Sequence, residues 1–233
     1  MDDAIERIIH AFKHERVSVV LGPMFSSGNG FQPLVEFLWD ILSQGDRSKS
    51  LGKQLEGWCE QGAFDRLAQG CINVLAKKGG SFFQKMQSEY GRPIVSGPLY
   101  TLAQLLPFAS LVNMNFDGVL AASCEHKTSL LPLSAEREQA LEALRENAPR
   151  IVYPLGSVKA EESLILPFTA FRDRKDDQAP YFEALFAETR VLLLGFPTRD
   201  FTLDWLHEFS PISEEGKRPW LVGMVPSEEE TSS

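Results

Sequence analysis

Apolar positions along this chain switch repeatedly between helical spacing and short unbroken runs. Ile5, Ile8, Ile9 and Phe12 recur at roughly helical spacing over residues 3–13 and predict an amphipathic helix. It leads into Val17-Ser18-Val19-Val20-Leu21, a compact apolar run that reads as a buried strand. Gly22-Pro23 end that strand, Ser26-Ser27-Gly28-Asn29-Gly30 form a small-residue turn, and an apolar helix opens at Pro33 and runs to Leu42. A strand, a glycine-bearing turn and a helix are how a nucleotide-binding α/β sheet usually begins, because such a turn lets a phosphate approach backbone N–H groups at the helix start. From about Gly45 to Gly91 there is no strong strand pattern. Leu55, Trp58, Phe64, Leu67, Ile72, Leu75, Phe82, Phe83 and Met86 recur instead at intervals suited to helices.

A predicted helix over Pro98 to Leu106 precedes a second buried strand, Ala109 to Met114. Asn115-Phe116-Asp117-Gly118 and a helix through Val119-Leu120-Ala121-Ala122 follow it. Helical sequence from Ser134 to Glu146 leads to the short strand Ile151-Val152-Tyr153-Pro154. Leu164-Ile165-Leu166 reads as a further short strand, and the polar run Arg172 to Gln178 as a solvated loop or helix start. The helix containing Tyr181, Phe182, Leu185 and Phe186 precedes Arg190 to Gly195, the clearest buried strand of all. A helix from Phe201 to Phe209 and a last strand from Trp220 to Val225 complete the pattern. Strands alternating with helices predict an α/β, Rossmann-like, mostly parallel sheet with helices on both faces. We expect one domain over residues 1–225, with a helical insertion at about 45–91 and a disordered tail at 226–233.

Composition narrows the function classes. The 233 residues are 43% hydrophobic and 24% charged, ordinary for a globular protein, and a chain of this length buries roughly 70–75% of its unfolded surface. A formal charge of -9, with no basic run longer than Lys77-Lys78, argues against direct binding of nucleic acid. The amino-terminal residues open with acids, and no window reaches the ~18 apolar residues of a membrane span, so neither secretion nor membrane insertion is expected. Cys59, Cys71 and Cys124 form no CxxC pair or zinc-spaced cluster and are read as reduced thiols of a cytoplasmic protein.

Generic catalytic signatures are thin. Cys124 and His126 are two residues apart, a spacing that points side chains apart on a helix. His10, His14 and His207 fall on predicted helices as surface or packing residues, and no metal ligand is assigned. Ser26, Ser27 and Ser157 have no evident His-Asp partners, and no Gly-Lys-Ser/Thr follows Gly22 to Gly30.

Four segments, in order, resemble the sirtuin-like family, especially its prokaryotic branch that includes NAD-cleaving defence proteins. Leu21-Gly22-Pro23-Met24-Phe25-Ser26-Ser27-Gly28 stands where that family has its Gly-Ala-Gly-x-Ser turn, and Asn113-Met114-Asn115-Phe116-Asp117 is similar to its Thr-x-Asn-x-Asp segment. Tyr153-Pro154-Leu155-Gly156-Ser157 falls at the family's His-Gly, and Leu194-Gly195-Phe196-Pro197-Thr198-Arg199-Asp200 resembles its late Gly-x-Ser-x-x-Asp segment. The resemblance implies a cofactor-binding set of Gly22, Ser26, Ser27, Asn115, Gly195 and Asp200. It also implies Asn115 and Asp117 as the catalytic pair of any active form, Asn115 positioning the attacking water or nicotinamide-side groups and Asp117 lying near the nicotinamide pocket. Asn and Asp also serve strand-to-helix turns and helix caps, so both residues have an architectural reading as well.

The departures from the family bear on function. Met24 replaces the turn glycine whose missing Cβ admits the pyrophosphate, and Pro23 removes a backbone donor. Leu155 replaces the general-base histidine and has no proton to exchange. Pro197 replaces the late serine, and the zinc ribbon of the protein-deacylating members is missing. The resulting expectation is a catalytically degenerate sirtuin-like domain, without a cofactor, that acts through a protein partner or self-assembly, in keeping with prokaryotic defence. Two other readings follow from the same resemblance: an NAD-cleaving hydrolase with a rearranged site, and a sensor that binds a nucleotide such as ADP-ribose without cleaving it.

Overall fold

Five consecutive buried residues, Val17–Leu21, form strand β1 in the middle of a six-stranded sheet. The computed structural model describes residues 2–27, 31, 34–43, 64–92, 108–118, 120, 129–148, 150–165, 175–196, 201–209 and 219–222. Helix α1 (Asp2–His14) precedes β1, and α2 (Pro23–Ser27), α3 (Leu34–Ser43), α4 (Phe64–Lys77) and α5 (Phe82–Tyr90) come between β1 and β2 (Ser110–Asn113). Strand β3 (Ser129–Pro132), helix α6 (Leu133–Arg145), β4 (Ile151–Tyr153), α7 (Lys175–Glu188), β5 (Arg190–Leu194), α8 (Phe201–His207) and β6 (Trp220–Val222) follow. Every strand pair is parallel, in the order β3-β4-β2-β1-β5-β6. The protein is thus an α/β Rossmann-like fold.

The connections explain how both faces are covered. From β1 the chain moves outward to β2 and β3, then steps back to β4, and α7 carries it past β2 and β1 to β5. Right-handed crossovers put the helices of these two directions on opposite faces of the sheet. Contacts follow this rule: α6 packs on β3, β4 and α7, α7 packs on β5, and Phe182 of α7 meets Trp205 of α8 edge to face at 4.8 Å. Helices α3, α4 and α5 pack on one another in the other layer. There the buried Cys71 thiol donates to the Leu38 carbonyl at 3.2 Å, and burial pushes its pKa up to about 12, so it is a neutral packing group.

Small polar residues inside the sheet make room for α7. Ser18 and Ser110 share a register on β1 and β2, and the Ser110 hydroxyl lies 2.6 Å from that of Tyr181. Both groups are buried, and desolvation raises the Tyr181 pKa, keeping it protonated. The buried Ser18 hydroxyl has no hydrogen-bond partner among the described residues. Beside this contact, Phe182, Trp205 and Phe209 form one aromatic cluster between α7 and α8.

Several local expectations change. The chain enters the short helix α2 directly at Pro23, a position that tolerates the missing N–H, so the turn predicted at 26–30 gives way at Ser26 and Ser27. Strand β3 was not expected: Ser-Leu-Leu-Pro is too short to show a period, and proline is tolerated because β3 is an edge strand. Leu164 and Ile165 are not in a strand; they follow a 3-10 turn, Glu161–Ser163, and the Ile165 N–H donates to the Leu155 carbonyl at 3.0 Å. Gln178 is fully buried rather than solvated, its side-chain amide donating to the Pro154 carbonyl at 3.1 Å. Ile9 is 47% exposed while Ala11 is buried, so the inner face of α1 runs through Ile8, Ala11 and Phe12. The predicted helix 98–106, residues 223–225 of the last strand and the tail 226–233 lie outside the described residues, as does all but Leu120 of the helix predicted at 119–122.

Replacing Tyr181 with Phe leaves the Ser110 hydroxyl buried beside that of Ser18 and should destabilise the protein by about 1–3 kcal/mol. Adding Ser110→Ala should cost less than the sum of the two single changes. Urea denaturation of the single and double variants measures this coupling.

Candidate functional site

The strand order creates one topological switch point. The chain leaves β1 toward β2 and leaves β5 toward β6, in opposite directions across the sheet, so the carboxyl ends of β1 and β5 flank the crevice where open α/β sheets take ligands. Gly22 follows β1 and Gly195 follows β5. Both glycines selected from the sequence therefore lie at this point.

Among the described residues, groups of the protein meet one another at this point. The Gly22 N–H donates to the Leu194 carbonyl at 2.7 Å, and the Gly22 carbonyl accepts from the Phe25 N–H at 3.1 Å. The Met24 N–H, at the start of α2, donates to the Gly195 carbonyl at 2.9 Å. A Cβ on Gly22 would lie 2.6 Å from the Gly195 oxygen and 2.7 Å from Phe196 Cγ, so the buried Phe196 ring rests directly on the glycine. Gly195 has φ +71°, and a Cβ there would lie 2.9 Å from the Phe25 nitrogen. Only glycine fits either position. A phosphate-binding turn works by leaving backbone N–H groups directed at the anion. Here Gly22, Met24 and Phe25 direct theirs at carbonyls, and Pro23 has none.

Asn115, two residues past β2, reaches the same point. Its Nδ2 donates to the Gly22 carbonyl at 3.0 Å and to Asn113 Oδ1 at 2.8 Å, while its backbone N–H also reaches Asn113 Oδ1 at 3.1 Å. Both hydrogens of the Asn115 amide are thus held by the protein, and the residue is buried. Asp117, two residues on, is buried as well, and its carbonyl accepts a long 3.5 Å contact from Asn113 Nδ2. The neighbouring Tyr90 ring packs against Phe31, Phe37 and Phe116. Burial raises the Tyr90 pKa first, and the charges of Glu89, Asp117 and Glu36 raise it further, so its hydroxyl keeps its proton.

The segment read against a histidine-glycine pair is also turned inward. Tyr153 to Gly156 form a turn in which the Gly156 N–H returns to the Tyr153 carbonyl at 3.2 Å, with Gly156 at φ +81°. A Cβ on Gly156 would collide with the Ser163 carbonyl. The Leu155 side chain is buried in the core. Ser157 belongs to the same loop: its N–H donates to Ser163 Oγ at 3.0 Å, and its own hydroxyl accepts from the Lys159 N–H at 3.3 Å.

Of the residues selected from the sequence, the fold brings Gly195 and Asn115 each into contact with Gly22 and sets Asp117 two residues beyond Asn115. Ser26 and Ser27 lie on α2, and Asp200, Pro197, Cys124 and His126 lie outside the described residues. Met24, which stands at the family's turn glycine, is half-buried and its N–H is bonded to the Gly195 carbonyl, while Phe196 makes the contact with Gly22. The available signal was a bulky aromatic immediately after Gly195. Among the described residues no helix is long and apolar enough to cross a membrane. No protein-family model matches this chain, and no curated protein matches it either.

Asn115→Ala removes two buried hydrogen bonds, those to the Gly22 carbonyl and to Asn113 Oδ1, and should cost about 1–3 kcal/mol of stability. A shifted urea midpoint at unchanged slope is the expected result; an unchanged midpoint contradicts the assignment.

Proposed function

We propose that this chain is a sirtuin-like domain whose dinucleotide crevice has closed on itself, and that it acts in the cytoplasm by binding a protein partner or by self-assembly rather than by turning over a nucleotide. One observation carries the reading: at the switch point the Met24 N–H is hydrogen-bonded to the Gly195 carbonyl while Phe196 covers Gly22. The pyrophosphate of a dinucleotide needs both the donors and the space.

The chemistry supports the same conclusion. Releasing nicotinamide from NAD requires a seated dinucleotide and a group that positions water at the ribose; Asn115 is the candidate for that role, yet its amide hydrogens are committed to Gly22 and Asn113. The buried aliphatic Leu155 supplies no acid–base function where the family would use histidine. Cleaving NAD or sensing ADP-ribose would require the Met24–Gly195 bond and the Phe196 ring to yield together. These are the readings that the retained Asn115 and Asp117 would otherwise favour.

The test is incubation of the full chain at high concentration with NAD for hours, with nicotinamide release measured, beside calorimetric titration with NAD and with ADP-ribose. We expect no release above the protein-free control and no binding heat. Steady turnover that Asn115→Ala abolishes, or saturable heat with either nucleotide, overturns the proposal.

A further inference from the structure

Away from the switch point, the last turns of α1 bring two imidazoles together. His10 and His14 are one helical turn apart, both exposed, with ring centroids 4.5 Å apart and planes inclined at 45°. Two imidazole nitrogens each about 2 Å from one ion, at a bite angle of about 90–110°, place their ring centres roughly 4.5–5 Å apart. The pair is therefore already close to a chelating arrangement, and residues four apart on a helix hold it without strain.

We propose that His10 and His14 form a two-ligand surface site for a late first-row divalent metal ion, such as nickel, copper or zinc, the ions that imidazole suits best. His14 is the last residue of α1, where the negative pole of the helix dipole favours a cation. Glu6, exposed one turn before His10, and the net charge of -9 act in the same direction, while Arg7 and Lys13 oppose them. Among the described residues no set of three His, Cys, Asp or Glu side chains converges, so water completes the coordination and the ion exchanges freely. This site is independent of the closed crevice and stands whether or not a nucleotide binds there.

Calorimetric titration of the chelator-treated full chain with nickel chloride, in a non-coordinating buffer, tests the proposal. We expect one ion per chain, at least about tenfold weaker binding in His10→Ala and in His14→Ala, and none in the double variant. His207→Ala, on α8, should match the wild type. All four variants alter exposed side chains, and circular dichroism checks that each keeps its fold. Undiminished binding by the double variant, or no heat from the wild type up to millimolar nickel, overturns the assignment. Substoichiometric copper(II) gives a second readout: paramagnetic broadening centred on the His10 and His14 ring resonances supports it, and broadening centred elsewhere contradicts it.

Discussion

The contact between the Gly22 and Gly195 backbones fixes how closely the carboxyl ends of β1 and β5 converge. Because neither residue has a Cβ, the Gly195 carbonyl can approach Gly22 and still accept the Met24 N–H. That approach sets the start of α2, gives Phe196 a surface to cover, and leaves the Gly22 carbonyl oriented toward Asn115, two residues past β2. Three adjacent strand ends are tied through one glycine. Of the backbone donors that border an anion site in an open α/β sheet, the Gly22, Met24 and Phe25 N–H groups each meet an internal acceptor here.

The opposite end of the sheet is held differently. Arg16, just before β1, donates to the Leu144 carbonyl and to Asn147 Oδ1 at the end of α6, and pairs with Glu188 at 3.7 Å. Arg190 pairs with Glu15 at 3.0 Å and lies over the Trp220 ring. Asn147 adopts φ 55°, and the N–H groups of Asn147 and Ala148 return to the Leu144 and Ala143 carbonyls, ending α6 in a Schellman arrangement. Partly exposed ion pairs of this kind contribute about 0–1 kcal/mol each. The amino ends are thus joined by partly exposed side chains in addition to backbone bonds such as that from the Arg190 N–H to the Arg16 carbonyl at 2.7 Å.

Much of this architecture was legible in the sequence because buried parallel strands leave unbroken apolar runs: β1, β2, β4 and β5 each stand within a predicted segment. Strand β3 escaped because four residues ending in proline carry no period, and α2 because small residues after Gly22-Pro23 suit a turn as well as a helix. The site was legible as a set of places more than as contacts. Gly22, Asn115 and Gly195, selected as cofactor-binding positions, lie together at strand ends, yet Asn115 and Gly22 are 93 positions apart, and nothing local states that one amide will serve the other's carbonyl. Phe196 went unrecognised because its role depends on a glycine across the sheet. The His10–His14 pair shows the converse, since spacing alone put both rings on one side of α1 while giving no rotamer.

The central claim is that the donors at the start of α2 belong to the protein and not to a ligand, and backbone amide NMR of the full chain measures this directly. The account predicts slow hydrogen exchange at the Gly22 and Met24 amides, with shifts and protection unchanged by millimolar NAD. A Met24 amide that exchanges freely, or one whose resonance moves saturably as NAD is added, would show that the joint opens to a dinucleotide and would contradict it.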